Sequence, residues 1–327
     1  MRAHLCADTI ALMSSFTIES GPVRVVIDPD LGASVLDLSL LAPHGQWRPL
    51  LRRAPHRACR VDETAMFLMA PWSNRVAGAA FTFRGRRHEL TPNFPDGTAI
   101  HGDACSRPWR ITDRTPVSAT LLLDSREHEG VNFPWSFGAR ARYEVTPSGF
   151  DVDLSVTNLD QEAFPCGLGL HPFFNRRLWG DADEVRVRAP VGGRYPCKAQ
   201  LPTGGAAGDD VSRQFQEMAP LGDPGLDDVF ACFAGEATIE WPASAVRLTM
   251  RCTESLDHLV IFTPHSEGGG PLGWFCIEPT SMVNDGFNLM EQGQAGTGVR
   301  VLEPGRTLES RVSMRIELDS FGSTMGR

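Results

Sequence analysis

The strongest constraint on this chain is a period of two. From Phe150 to Thr157 apolar and polar residues alternate without a break, and Val246–Cys252 and Val312–Leu318 repeat the pattern. Side chains of a strand point alternately to opposite faces, so each such run buries one face and wets the other, as in antiparallel sheets. Turn residues separate the runs: Pro147-Ser148-Gly149 joins 142–146 to 150–157, and Arg84-Gly85 follows Phe81–Phe83. Helical periodicity over ten or more residues is hard to find, and only 209–218 suggests a short helix. The 24 prolines and 32 glycines suit many short strands joined by loops. The expected fold is all-β, a large antiparallel β-sandwich, with residues 16–320 forming a single domain. Residues 1–15 read as a poorly ordered extension, with Met13 as an alternative start.

A chain of 327 residues can build one large β domain or two medium ones. Its net charge of −9 argues against general affinity for nucleic acid or anionic membranes. No run is long and apolar enough to cross a bilayer. The N-terminal stretch carries Asp8 within its apolar part and lacks a small-x-small cleavage site, unlike a secretory signal. The eight cysteines are scattered, with no C-x-x-C pair, and several sit in strand-like runs such as those holding Cys252 and Cys276. Free thiols in a cytoplasmic protein, monomer or homodimer, fit this better than a disulfide framework.

The chain has no H-E-x-x-H, no paired Cys/His spacing, no G-x-S-x-G elbow, no P-loop and no complete dinucleotide fingerprint. Nothing in it demands a metal or another cofactor. Two titratable residues share an unusual placement. His171 precedes Pro172, and Glu278 precedes Pro279 at the end of the apolar run Trp274–Ile277. A following proline disfavours helix and holds each residue extended. Alternation puts Gly167 and Gly169 on the His171 face, which reads as an open floor for another molecule, or as simple sheet packing. Trp274, Cys276 and Glu278 share a face likewise. Partial burial would raise the Glu278 pKa and make it a better base, while a Glu at a strand mouth paired to an Arg is the plainer reading. If the fold brings Glu278 and His171 across one cleft, one can act as base and the other as acid. Other polar residues lie beside backbone signals: Asn74-Arg75 before a hairpin, His101-Gly102 after a loop of turn residues, and Asp227-Asp228 after a Pro-Gly turn.

Five pieces of sequence, in order, resemble the aldose 1-epimerases, also called galactose mutarotases. They are Asn74-Arg75 with Gly78; Leu90 and Asn93 ahead of His101-Gly102, with Trp109 after; Gly169–Asn175; Leu226–Phe230; and Glu278-Pro279 with Asp285 and Asn288. The similarity runs from about residue 20 to about 318 and looks closest to the bacterial aldose epimerase-like branch. The resemblance implies a β-supersandwich and interconversion of the α and β anomers of a free monosaccharide. It implies Glu278 as general base and His171, protonated and favoured in that form by nearby carboxylates, as general acid. Arg75, His101 and Asp227, or its neighbour Asp228, would bind hydroxyls, with Asn74 and Trp274 beside them. Where many relatives carry a tryptophan after Phe230, this chain has Ala231-Cys232-Phe233, and Phe233 is expected to supply the stacking face. Arg75, Arg107, Arg176 and Arg177 motivate an anionic sugar as an alternative substrate. A non-catalytic sugar-binding protein is the third possibility.

Overall fold

The computed structural model describes residues 15–180 and 182–318. Apart from Ser15, the expected N-terminal extension and the alternative start at Met13 lie outside the described residues. Among the described residues two large sheets dominate, and every named strand pair is antiparallel. The first runs Phe16–Ser20, Val23–Asp28, Ser34–Leu41, Met66–Met69, Gly169–Asn175, Trp274–Thr280, His258–Phe262, Asp227–Ala231, Gly193–Arg194, with Trp47–Pro49 paired to Ser34–Leu41. The second runs Arg110–Arg114, Ser118–Asp124, Phe137–Thr146, Gly149–Asn158, Thr307–Leu318, Val246–Cys252, Glu236–Trp241, Arg186–Arg188, Ala219–Pro220. The chain is thus all-β, a large antiparallel sandwich.

The sheets meet through the apolar halves of their alternating strands. Leu170, Phe174, Phe275, Ile277 and Phe230 from the first share one core with Tyr143, Phe150, Val152, Leu248 and Met314 from the second. Polar atoms tie the layers together as well. Tyr143 Oη donates to the Ala33 carbonyl at 2.5 Å, and Trp241 Nε1 donates to that of Asn175 at 2.8 Å. The expected helix appears as Asp210–Gln214, started by Asp209, whose carboxylate accepts from the Ser212 amide. A second helix, Gly286–Glu291, follows Asp285 in a left-handed conformation.

The other face of the first sheet carries the site. Residues alternating with the core set point there: Phe67 and Met69, His171 and Phe173, Trp274 and Cys276, Phe262. These side chains form a separate apolar cluster that turns its back on the sandwich core.

Candidate active site

Register decides the centre of the site. Gly169–Asn175 and Trp274–Thr280 are neighbours, with Gly169 opposite Thr280 and Phe173 opposite Cys276. Between those pairs the same register puts His171 directly across from Glu278. Pro172 and Pro279 lack amide hydrogens, which opens the ladder locally without shifting it. His171 Nε2 lies 3.2 Å from Glu278 Oε1. Glu278 is 1% exposed and His171 7%. The imidazole packs against the rings of Phe67 and Phe173, with centroids at 4.6 and 4.5 Å. Among the described residues, His171 Nδ1 and Glu278 Oε2 find no hydrogen-bond partner. Buried polar atoms are almost always satisfied, so two bare ones on one pair mark where a ligand is due.

Burial pushes the Glu278 carboxyl well above its usual range, with Asp227 adding to the shift and Arg75 opposing it. The same desolvation pushes His171 well below the imidazole range, helped by His101 and Arg52. For His171 this direction runs against the expectation that nearby carboxylates keep it protonated. Desolvation favours the neutral form of each group, a protonated Glu278 beside an unprotonated His171.

The surrounding residues arrive from loops. Arg75–Val76 pairs with Ala99–Ile100, and the His101 amide donates to the Asn74 carbonyl at 3.0 Å. His101 and Gly102 both have positive φ, and a Cβ on Gly102 would lie 2.0 Å from the Ala70 carbonyl oxygen. Only glycine allows this approach, which sets the His101 ring edge-on to His171 at 5.2 Å. Burial, then Arg75, lowers the His101 pKa to about 3, so it is neutral. Asn74 Oδ1 accepts from the Arg75 amide and from Arg75 Nη1, so Asn74 orients Arg75. Arg75 Nε also donates to Asp96 at 3.0 Å, and its Nη2 lies 3.9 Å from Asp227 Oδ2. Sequence reasoning missed Asp96. It stands in the turn-rich loop before His101, and no local pattern distinguishes it from a turn aspartate.

Of the two aspartates, Asp227 lies nearer Arg75. It starts the strand on the same face as Val229 and Ala231, beside Arg75. Asp228 instead pairs with Arg194 at 3.3 Å. Trp274 lies 5.1 Å from Phe173 by ring centroids. Phe233 does not reach the site. It is 6% exposed within the main core, because Cys232 adopts φ 53° and breaks the alternation after Ala231. The aromatic faces beside the pair belong to Phe67, Phe173 and Trp274. The glycine floor is also filled: a Cβ on Gly169 would meet Met69, Pro279 and Thr280 at 2.9 Å, and one on Gly167 would meet Met282 Sδ at 2.2 Å. These glycines serve sheet packing.

Of the four arginines invoked for an anionic substrate, Arg75 lies at the pair. Arg107 is locked to Asp103 and to the carbonyls of Glu129 and Gly130. Arg176 donates to the Gly222 carbonyl beside Phe275, a core-face residue. For a metal, one ligand atom each from His171, Cys276 and Glu278 falls within 4.8 Å of the others.

A sequence model of the aldose 1-epimerase family matches residues 14–315. An uncharacterized protein of Escherichia coli (strain K12), YphB, is 28% identical over 316 residues, 93% of this chain and 99% of that protein. The aldose 1-epimerase of the same organism is 28% identical over 178 residues, 52% of this chain and 49% of that one. A crystal structure of a candidate aldose 1-epimerase from Escherichia coli K12 superposes with a TM-score of 0.80 and 25% identity, covering 93% of this chain and 99% of that one. With the family match spanning nearly all of its length, this chain belongs to the aldose 1-epimerase family.

Proposed function

We propose that the protein is a mutarotase interconverting the α and β anomers of a free aldose by acid–base ring opening and reclosure. One observation carries the reading: a buried carboxylate and imidazole face each other across two strands, each with an unsatisfied atom. The O1 hydroxyl donates to the bare Glu278 Oε2. That hydrogen bond favours the carboxylate and moves the Glu278 proton to His171. Glu278 then takes the O1 proton as His171 Nε2 protonates the ring oxygen O5. The C1–O5 bond breaks and an open-chain aldehyde forms. Rotation about C1–C2 presents the other carbonyl face, and the two groups exchange roles on closure. Arg75, His101 and Asp227 bind ring hydroxyls, and Phe173 and Trp274 offer apolar faces to the sugar ring. The seven described cysteines are free thiols, in keeping with a reducing compartment such as the cytoplasm.

A second reading, an anionic aldose, draws on Arg52. Its guanidinium lies over Phe173 at 3.8 Å and Trp274 at 4.8 Å and, among the described residues, has no carboxylate within salt-bridge distance, although Nη2 already serves two backbone carbonyls.

The test is the approach of fresh α-anomers to equilibrium, followed by NMR, for neutral and anionic sugars. Wild type should beat the buffer rate with at least one of them. Glu278→Gln and His171→Asn should each lower kcat by roughly 10²–10⁴-fold. Full activity in either variant would refute the assigned roles, and a wild-type rate equal to buffer across the panel would refute mutarotation of those sugars.

A further inference from the structure

We propose that the same pocket is an inhibitory site for a soft divalent cation of the zinc type, held by His171, Cys276 and Glu278. The proton-transfer scheme has no use for the Cys276 thiol, yet strand alternation sets it on the site face two residues before Glu278. One ligand atom from each of the three residues lies within 4.8 Å of the others, and all three residues are buried. His171 Nδ1 and Glu278 Oε2, both bare, supply unused coordinating capacity. Imidazole, thiolate and carboxylate together suit zinc or cobalt, and the thiolate discriminates against magnesium and calcium. Three protein ligands leave a fourth position open.

Charge and protons balance. The cation enters as two protons leave, one from the thiol and one from the pair. Thiolate and carboxylate then neutralise the dication, so no net charge is buried. A bound ion occupies the groups that would move protons, so it competes with sugar. Only this inhibitory half rests on the proposed reaction, because binding is measurable without turnover.

The experiment uses the purified full chain stripped of metal. Zn²⁺ is titrated against a chromophoric chelator, and Co²⁺ is added separately to look for thiolate-to-cobalt absorption. Wild type should bind one more equivalent of Zn²⁺ than Cys276→Ser, and only wild type should gain the absorption band assigned to Cys276. In the anomer assay, micromolar Zn²⁺ should slow wild type by about tenfold or more, and Cys276→Ser by less than about twofold. Without metal, Cys276→Ser should turn over near the wild-type rate, and Mg²⁺ should affect neither protein. Equal binding by the two proteins, or equal inhibition of both, would overturn the site. If wild type turns over no sugar, the proposed reaction fails, and the chelator titration alone decides the metal site.

Discussion

Burial, more than any single charged neighbour, sets the direction of the pKa shifts at Glu278, His171 and His101. His101 makes the point testable. Its folded pKa of about 3 lies below the ordinary imidazole value of ~6.5, so the unfolded chain binds the proton more readily. Its contribution to stability is complete above pH ~6.5 and is lost as pH falls toward about 3. Denaturant titrations at pH 7.5 and 5 should therefore show wild type losing more stability than His101→Gln. An equal loss in both would mean that His101 is readily protonated in the fold. The aspartate pair gives a second prediction. Asp227→Asn should lower kcat/KM by roughly tenfold or more, the scale of a lost charged hydrogen bond to substrate. Asp228→Asn, whose partner is Arg194, should change it little; steady-state anomer kinetics on both variants decide between them.

At the scale of elements, short backbone contacts hold the site in shape. Gly102→Ala places a methyl against the Ala70 carbonyl in a left-handed conformation. It should cost about 2 kcal/mol or more, read as a lowered denaturation midpoint, and should displace His101. Gly169→Ala should likewise appear first as lost stability, since its Cβ meets packed neighbours and not open space. The long strands were legible in the sequence because alternation is expressed by the strand itself: Val246–Cys252 has the bounds its pattern suggests. The short helix expected within 209–218 covers only Asp210–Gln214, with Asp209 as its cap. Two-residue strands such as Arg75–Val76 and Ala99–Ile100 have no room for a period. The six-residue helix Gly286–Glu291 is too short to display 3.6-residue spacing. These unreadable pieces carry or flank Arg75 and His101, so the placement of that half of the site came only with the fold.

For the whole molecule, the sandwich separates stability from chemistry. Its second sheet turns a ladder of charges outward, where Asp151, 3% exposed, accepts from Arg311 and Arg315 at 2.7 Å each. Asp151→Asn should cost about 1–3 kcal/mol in denaturant unfolding and leave anomer equilibration unchanged, because the pocket lies on the far face of the other sheet. A matching loss of activity would mean that the layers are mechanically coupled. Among the described residues no helix is long and apolar enough to cross a membrane.

The alternating pattern by itself determined an antiparallel sandwich, since face and pleat are properties of each strand's own backbone. The pre-proline positions singled out His171 and Glu278 for the same local reason. Tertiary structure decided what depends on distant partners. Register brought those two residues opposite each other, left-handed backbone at Cys232 sent Phe233 into the core, and Arg194 took Asp228 and left Asp227 to the pocket. It also decided the burial that favours the neutral forms of Glu278 and His171, because the cost of burying a charge is set by everything packed around it, and no stretch of sequence contains that.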